Sequence, residues 1–225
     1  MKKLFLTLTL VAFAAMTVHA QGSSWRFEPS EKRDFGFTFA WITKQYKYDG
    51  DKYAFLTGKE DKFSHGLRFG FLANPTFKYG LGFRTGLNVE YCYAKTTIQD
   101  FEGIWNGEEF DEYLHDFALS VPLQPSFRME VAKDFQILIY TGPVFDFEVC
   151  QLTRVHGETH DDYYKDADDK WDGFNCLWGV GGGIQYKCVR VDAGTEFGLV
   201  KKKDLLGDKS LKWNKPVYVA LSFLF

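Results

Sequence analysis

Residues 217–225 read Val-Tyr-Val-Ala-Leu-Ser-Phe-Leu-Phe, and their pattern is the strongest indication of the fold of this chain. Every second residue of the stretch is apolar, and apart from Leu224 the residues between are smaller or more polar; the apolar set is Val217, Val219, Leu221, Phe223 and Phe225. A period of two is typical of a β-strand with two different faces. A final strand of this kind predicts a transmembrane barrel, whose last strand faces lipid and pairs with the first. The apolar set is also expected to act as the signal that barrel-assembly machinery recognises.

The first twenty residues predict an exported protein. Two lysines at positions 2 and 3 precede an apolar stretch over residues 4–16. This stretch is too short for a membrane-spanning helix, and its basic flank is typical of a secretory signal peptide. Small residues at positions 18 and 20 predict cleavage between Ala20 and Gln21. We therefore expect a signal peptide over residues 1–20 and delivery to the cell envelope.

The composition narrows the class of exported protein. Aromatic residues make up 18% of the chain, with 23 Phe, yet the mean hydropathy is −0.26. No segment after residue 20 approaches the roughly 18 consecutive apolar residues of a membrane helix. A net charge of −3 offers no basic footprint for nucleic acid. Two classes remain: a soluble exported β-protein and an outer-membrane barrel.

The chain divides into eight candidate strands joined by connections of alternating length. The strands are expected at 35–48, 64–74, 81–96, 112–128, 135–151, 174–186, 189–201 and 212–225. Each reaches the roughly 9–11 residues that a tilted transmembrane strand needs. The short connections are 75–80, 129–134 and 187–188, and the long, polar ones are 49–63, 97–111, 152–173 and 202–211. Short periplasmic turns and longer external loops are typical of outer-membrane barrels.

The two parities of the strands differ in side-chain bulk, and this difference predicts which face is inside. The apolar parity is crowded with Phe and Tyr, whereas the polar parity is rich in glycine: Gly36, Gly70, Gly82, Gly86, Gly179, Gly181, Gly183, Gly194 and Gly198. An eight-stranded barrel is only just wide enough for side chains, so small residues belong inside. We expect an all-β, eight-stranded, antiparallel, up-and-down transmembrane barrel over residues 35–225, after a short periplasmic segment at 21–34. A soluble ligand-binding barrel is the less favoured alternative.

The fourth candidate strand contains Pro122 and Pro125, each of which removes one donor from the backbone ladder. We expect either a bulge or interrupted hydrogen bonding near the middle of this strand. It remains a strand because its apolar parity runs through both prolines, at Phe117, Leu119, Val121, Leu123 and Phe127.

Several of these segments resemble the PorT-like outer-membrane β-barrel family of Bacteroidetes-type bacteria. The matching stretches are Leu-Ser-Val-Pro-Leu at 119–123, Tyr-Thr-Gly-Pro at 140–143, the glycine-rich segments 179–186 and 191–199, and the terminal strand 217–225. The motifs are architectural and cover most of the chain after residue 20. The resemblance implies an outer-membrane barrel of a Gram-negative envelope and carries no catalytic residues.

Charged residues on the inner parity predict a polar lumen of mixed sign. The set is Arg68, Arg84, Glu90, Arg128, Asp146, Glu148, Arg190, Asp192 and Glu196, and Asp116 and Glu130 share its parity. Unpaired charge in a space of low dielectric would be costly, so we expect ion pairs that plug the barrel. A narrow, ion-conducting or gated lumen is the alternative.

The long loops offer the remaining candidates for chemistry. Acidic residues in 97–111 and 152–173 suit divalent cations that bridge lipopolysaccharide, a basic partner, or simple solvation. His156 and His160 have a spacing that fits a metal on a helix but fixes no geometry in a loop. A membrane-embedded acyltransferase is the enzymatic alternative, but it lacks a convincing serine and an amphipathic leading helix at 21–34. We expect no catalytic residue, cofactor or metal.

Four cysteines in an exported chain permit disulfides. Cys150 and Cys176 could staple the third long loop, and Cys188 is expected to be unbonded in a turn. For Cys92 and Cys176, burial as small hydrophobes is an equal alternative to bonding, so the sequence leaves the pairing open. The expected role is a non-enzymatic scaffold in the outer membrane that contacts lipid and lipopolysaccharide and presents its acidic loops to an extracellular or envelope partner.

Overall fold

A computed structural model describes residues 33–48, 62–99, 109–155, 158–163, 173–200, 202–203 and 209–225. The expected signal peptide, its cleavage site at Ala20 and Gln21, and residues 21–32 lie outside the described residues. So do His156, the side chain of His160 and most of the acidic loop residues. Within the described ranges, no helix is long and apolar enough to cross a membrane.

The described residues form ten β-strands and a short 3-10 turn. The strands are β1 (Phe35–Tyr48), β2 (Lys62–Ala73), β3 (Leu81–Gln99), β4 (Glu109–Ala132), β5 (Phe135–Val155), β6 (Glu158–Tyr163), β7 (Phe174–Tyr186), β8 (Val189–Gly198), β9 (Lys202–Lys203) and β10 (Lys209–Leu224). Eight of them pair antiparallel with their neighbours in chain order, and β1 pairs with β10, which closes the sheet. The predicted eight-stranded, antiparallel, up-and-down barrel is confirmed.

The two short strands correct the sequence prediction. Strand β6 lies inside the predicted loop 152–173, where it pairs with the end of β5, and β9 lies inside the predicted loop 202–211. Neither has an apolar alternation in its sequence, so the period of two could not predict these strands; both are defined by their backbone pairing. The predicted strand 189–201 ends at Gly198, and the predicted turn 129–134 shrinks to Lys133–Asp134.

The short connections all lie at one end of the barrel, which we call the turn end. Two of them are two-residue turns, in which Asp134 and Lys187 have φ of 65° and 53°. The third contains the 3-10 turn Lys78–Gly80, with Tyr79 at φ 60°. The longer connections leave from the opposite end, which we call the loop end. This alternation matches the sequence prediction.

Side-chain direction follows the predicted parity. Phe37, Phe69 and Phe223 point outward and are 51%, 56% and 55% exposed, and the rings of Phe37 and Phe69 stack at 6.4 Å. Charged residues such as Arg190 and Asp192 point inward and are buried. Small and charged side chains are therefore inside, and bulky apolar ones are outside.

The two prolines interrupt the ladders of β4 without a bulge. Pairing with β3 is missing between Leu123 and Ser120, and pairing with β5 is missing between Pro122 and Ser126. The register is the same on both sides of each gap, so hydrogen bonds are lost but no residue is inserted. On β5, Gly142 has φ +147°, and a Cβ there would lie 2.9 Å from the Leu123 carbonyl oxygen. A glycine is needed at this close approach.

Candidate functional site

The interior of the barrel contains a near-neutral set of charged side chains. Among the side chains that the structure describes, thirteen are buried: Lys44, Arg68, Arg84, Arg128, Arg190 and Lys215 among the cations, and Glu90, Asp116, Glu130, Asp146, Glu148, Asp192 and Glu196 among the acids. The nine lumen residues expected from the sequence are all in this set. Two lysines in it were not expected, and each occupies a central position.

Four of these residues form a closed ring across the lumen, which we call the central ring: Arg68, Glu90, Lys215 and Glu196. Arg68 donates to both carboxylate oxygens of Glu196 at 2.9 Å and to Glu90 Oε1 at 2.8 Å. Lys215 Nζ lies 2.7 Å from Glu90 Oε2 and 3.7 Å from Glu196 Oε2. Each carboxylate therefore faces two cations. Two-oxygen arginine pairs are the strongest and most directional of protein ion pairs.

Lys215 also connects the central ring to the wall formed by β5. Its Nζ lies 3.1 Å from Asp146 Oδ2, and both groups are about 1% exposed. The approach is close but lacks the alignment of a hydrogen bond, so the attraction is that of an ion pair. One ammonium group thus faces carboxylates on β3, β5 and β8.

A bulge in β10 points Lys215 inward. Relative to both β1 and β8, β10 contains one extra residue between Lys215 and Tyr218. The Thr43 hydroxyl accepts from the Val217 N–H at 3.1 Å and donates to the Val217 carbonyl at 3.0 Å, which replaces lost ladder bonds. The extra residue reverses the parity, so Lys215 faces the lumen although it shares the odd numbering of the lipid-facing residues after it. Pro216 was the available sequence signal for this bulge.

A second ion-pair cluster lies toward the loop end. Lys44 Nζ donates to Glu148 Oε1 at 2.6 Å and also to Asp116 Oδ2. All three groups are buried, so a lysine between two carboxylates neutralises charge that water does not reach. Lys44 continues the inward parity of Thr38 and Ile42, so the sequence pattern could have identified it.

Two tyrosines cross the lumen between the charged clusters. The Tyr218 hydroxyl donates to the Tyr140 hydroxyl at 2.8 Å, and the Arg84 guanidinium lies 4.3 Å from the centre of the Tyr140 ring. A Cβ on Gly181 would lie 2.5 Å from the Tyr140 ring, and one on Gly194 would lie 2.5 Å from the Tyr218 hydroxyl. The glycine-rich strands β7 and β8 therefore leave space for these two rings.

The turn end is closed around Asn74, which is fully buried. Arg190 donates to Asn74 Oδ1 at 3.1 Å, and Arg128 donates to the Asn74 carbonyl at 3.0 Å. Arg128 also pairs with Asp34 at 3.1 Å, just before β1, and Arg190 donates to Asp192 at 2.9 Å. The first described residues thus contribute to this end of the lumen.

The residues expected to form the assembly signal all face outward on β10. Their exposed fractions are 46% for Val217, 44% for Val219, 40% for Leu221, 55% for Phe223 and 66% for Phe225. The Phe225 ring lies 6.1 Å from that of Phe37 on β1. The last strand thus continues the apolar exterior of the first.

The expected staple between Cys150 and Cys176 is wrong. Cys176 pairs in register with Phe145, five residues before Cys150 on β5. That offset is about 17 Å at ~3.4 Å per residue, far beyond the reach of a disulfide. None of the four cysteines, all of which lie in described segments, forms a disulfide, and Cys92 is buried. Across the described ranges, no group of three or more His, Cys, Asp or Glu side chains could hold a metal ion.

No protein-family model matches this chain, and no curated protein matches it. Solved structures with a similar fold include Neisserial surface protein A, at 10% identity and a TM-score of 0.44 over 90% of this chain and 100% of that one. Ail, the attachment invasion locus protein of Yersinia pestis, matches at 12% identity and a TM-score of 0.39 over 87% of this chain and 100% of that one. Its complex with the heparin analogue sucrose octasulfate matches at 11% identity and a TM-score of 0.38, over 87% and 100% of the two chains. Likenesses this distant carry no inference about function.

Proposed function

We propose that this protein is a non-enzymatic scaffold in the outer membrane, with a sealed barrel that supports four external loops. One observation carries the proposal: the closed barrel has charges buried inside it and large apolar side chains exposed outside it. Water favours the opposite arrangement, because exposed apolar area costs free energy and buried charge is expensive unless it is paired. Lipid accepts the apolar exterior, and the ion pairs satisfy the interior.

The finer details of location rest on the sequence. A signal peptide at 1–20 would export the chain, and residues 21–34 would lie on the periplasmic side with the short turns. The longer connections would then face outward, where acidic residues in 97–111 and 152–173 are available to divalent cations or a basic partner. Lipopolysaccharide is the expected lipid partner in the outer leaflet.

The assembly route and the family belong to the same proposal. The five outward residues of β10 are the segment that we expect barrel-assembly machinery to bind. Membership of the PorT-like family is supported by the glycine-rich strands β7 and β8, whose Gly181 and Gly194 leave space for the lumen tyrosines. It is also supported by Gly142 and Pro143 opposite the interrupted part of β4.

The central ring favours a sealed lumen, and a gated pore is the second candidate. Arg68 and Lys215 join side chains from β2, β3, β8 and β10, and Lys215 extends the link to β5. Such cross-links leave little room for a hydrated ion. The observation that favours gating is that Lys215 faces three carboxylates, so it could exchange partners without losing all of them.

Two measurements test the proposal. Detergent-extracted envelope protein should change its gel mobility on heating, as folded barrels do, and recovery in the soluble periplasmic fraction would disprove a membrane location. The purified barrel in a planar bilayer should give no discrete conductance steps. Regular steps of one size would disprove the sealed lumen and establish the gated pore.

A further inference from the structure

The outer surface of β1–β4 has an unusual composition near the loop end. We define the polar aromatic sector as the outward side chains Trp41, His65, Tyr91, Tyr93, Tyr113 and His115. They contact one another: the rings of Trp41 and His65 stack at 5.7 Å, and the Tyr91 hydroxyl lies 2.9 Å from His115 Nδ1. His65, Tyr93 and His115 occupy one register row across three strands.

The sector lies at the height of the lipid headgroups. Tyr93 is twelve residues beyond Leu81 at the turn end, and His65 is eight residues from Ala73. At ~3.4 Å per residue and a tilt of about 40°, these offsets correspond to about 31 Å and about 21 Å along the barrel axis. The apolar band of such barrels is about 25 Å tall. Tyr93 therefore lies above the upper edge of the band and His65 just below it, and His115 shares their register row.

The opposite side of the barrel is different at the same height. Phe197 on β8 is also eight residues from the turn end of its strand, and it is 50% exposed. Leu199, two residues further on, is 54% exposed, and Val200 is 39% exposed. On this second side Trp178 pairs in register with Phe197 and is 43% exposed, so an indole accompanies the apolar side chains there, whereas the β1–β4 side presents imidazole and phenol groups. An interfacial belt that served merely to anchor the barrel would need no such asymmetry.

Basic groups give the polar aromatic sector its chemistry. Lys95 is exposed, and its Nζ lies 5.5 Å from the centre of the Tyr113 ring. The Tyr91 hydroxyl and His115 Nδ1 share a hydrogen bond, and His65 is exposed beside Trp41; every imidazole carries at least one N–H that can donate. The sector combines hydrogen-bond donors, a cation and flat rings.

We propose that the polar aromatic sector is a binding site for the phosphorylated head of lipopolysaccharide in the outer leaflet. Lys95 and the two imidazoles donate to phosphate oxygens, while the aromatic rings pack against the sugars and the first methylenes of the acyl chains. The assignment rests on the proposed location in the outer membrane. It adds a site and a side to that location, because lipopolysaccharide is held on β1–β4 and not around the whole barrel.

The test uses a matched pair of lysines in the full-length barrel. Lys95 lies 5.5 Å from a tyrosine ring at the loop end, and Lys187 lies 5.4 Å from the Tyr186 ring at the turn end. Both are exposed, so Lys95→Gln and Lys187→Gln should fold alike. Each protein, reconstituted in phosphatidylcholine nanodiscs, is titrated with deep-rough lipopolysaccharide, the same lipid after removal of its phosphates, and phosphatidylglycerol.

We expect the wild type to bind the intact lipopolysaccharide about tenfold more tightly than either other lipid. Lys95→Gln should weaken this binding about fivefold, since one lysine near an anionic lipid surface contributes about 1 kcal/mol, which is about a fivefold change in affinity. Lys187→Gln should change it less than twofold. The double variant His65→Ala/His115→Ala should remove most of the remaining preference for phosphate.

Three results would overturn the site: equal effects of the two lysine variants, equal binding of the dephosphorylated lipid, or binding of phosphatidylglycerol as tight as that of lipopolysaccharide. Heat-modifiable mobility is recorded for every sample. A protein that is not a membrane barrel fails that assay and disproves the proposed function, whereas a folded barrel without the lipid preference disproves the site alone.

Discussion

Replacement of Lys215 by methionine tests the central ring most directly. Methionine keeps the length of the side chain but removes the ammonium group that lies 2.7 Å from Glu90, 3.1 Å from Asp146 and 3.7 Å from Glu196. Glu90 and Glu196 then keep Arg68 as a partner, whereas Asp146 loses its ion pair with Lys215. Removal of one partner from a buried ion pair typically costs about 3–5 kcal/mol, because the other charge stays buried. We expect a loss of stability in that range.

The assay is equilibrium unfolding in urea of the barrel folded into lipid vesicles, followed by tryptophan fluorescence and heat-modifiable mobility. The matched control is Asp146→Asn, alone and combined with Lys215→Met. Alone it should cost about 1–2 kcal/mol, since it removes the carboxylate charge that lies 3.1 Å from Lys215 but leaves Lys215 facing Glu90 and Glu196. Combined with Lys215→Met it removes the surplus carboxylate, so the double variant should be more stable than the sum of the single losses predicts, by at least about 1 kcal/mol.

The proposed role of Lys215 in the central ring would be disproved if Lys215→Met cost less than about 1 kcal/mol, or if the two changes were strictly additive. Either result would mean that the ammonium group is solvated and not part of a closed ring.

A second readout uses a planar bilayer. Loss of Lys215 opens one side of the central ring, so this variant should show conductance steps more often than the wild type.

Three further predictions concern the rest of the barrel. Gly181→Ala should destabilise the fold by about 1–3 kcal/mol or prevent folding, because the new Cβ would lie 2.5 Å from the Tyr140 ring. Gly182→Ala is the control, since its Cβ faces the opposite way and its effect should be milder. Equal effects of the two changes would contradict the tight packing of the tyrosine pair. Thr43→Val should lower the free energy of unfolding in urea by about 1–3 kcal/mol, because it leaves the Val217 N–H and carbonyl without their hydroxyl partner. Thr43→Ser keeps the hydroxyl and should retain most of the stability. Deletion of Phe225 should lower the fraction of heat-modifiable protein in the outer membrane. The control is Phe77→Ala, which removes a similarly exposed aromatic ring from the β2–β3 connection and should leave that fraction unchanged. Equal yields of the two variants would argue against a terminal assembly signal.

The parity of the strands could be predicted because side-chain direction in a strand is a local property. Phe37, Phe223 and the other bulky apolar residues alternate with small or charged ones, and the backbone sends successive side chains to opposite faces whatever the rest of the chain does. The same alternation placed nine charged residues in the lumen. Lys44 follows the identical pattern, so the alternation is sufficient to place it in the lumen as well.

Other features depended on strand pairing, which no local pattern contains. Lys215 faces inward only because β10 has one more residue than its neighbours β1 and β8 between Lys215 and Tyr218. Strand β6 is polar throughout and exists because β5 offers an unpaired backbone edge beyond the barrel. The prolines of β4 predicted a disturbed ladder, but only the constant register showed that no bulge forms there.

Local periodicity was therefore enough to predict eight alternating strands, the face that carries charge and the face that is apolar. Which charges meet depends on how the sheet closes. Arg68 and Glu196 are 128 residues apart along the chain, yet Arg68 contacts both carboxylate oxygens of Glu196 at 2.9 Å. Closure of the sheet brings β2 and β8 to facing walls of a narrow lumen, and the bulge in β10 adds Lys215 between them. A periodic pattern fixes direction within one strand, whereas an ion pair across a barrel depends on the curvature and register of all of them.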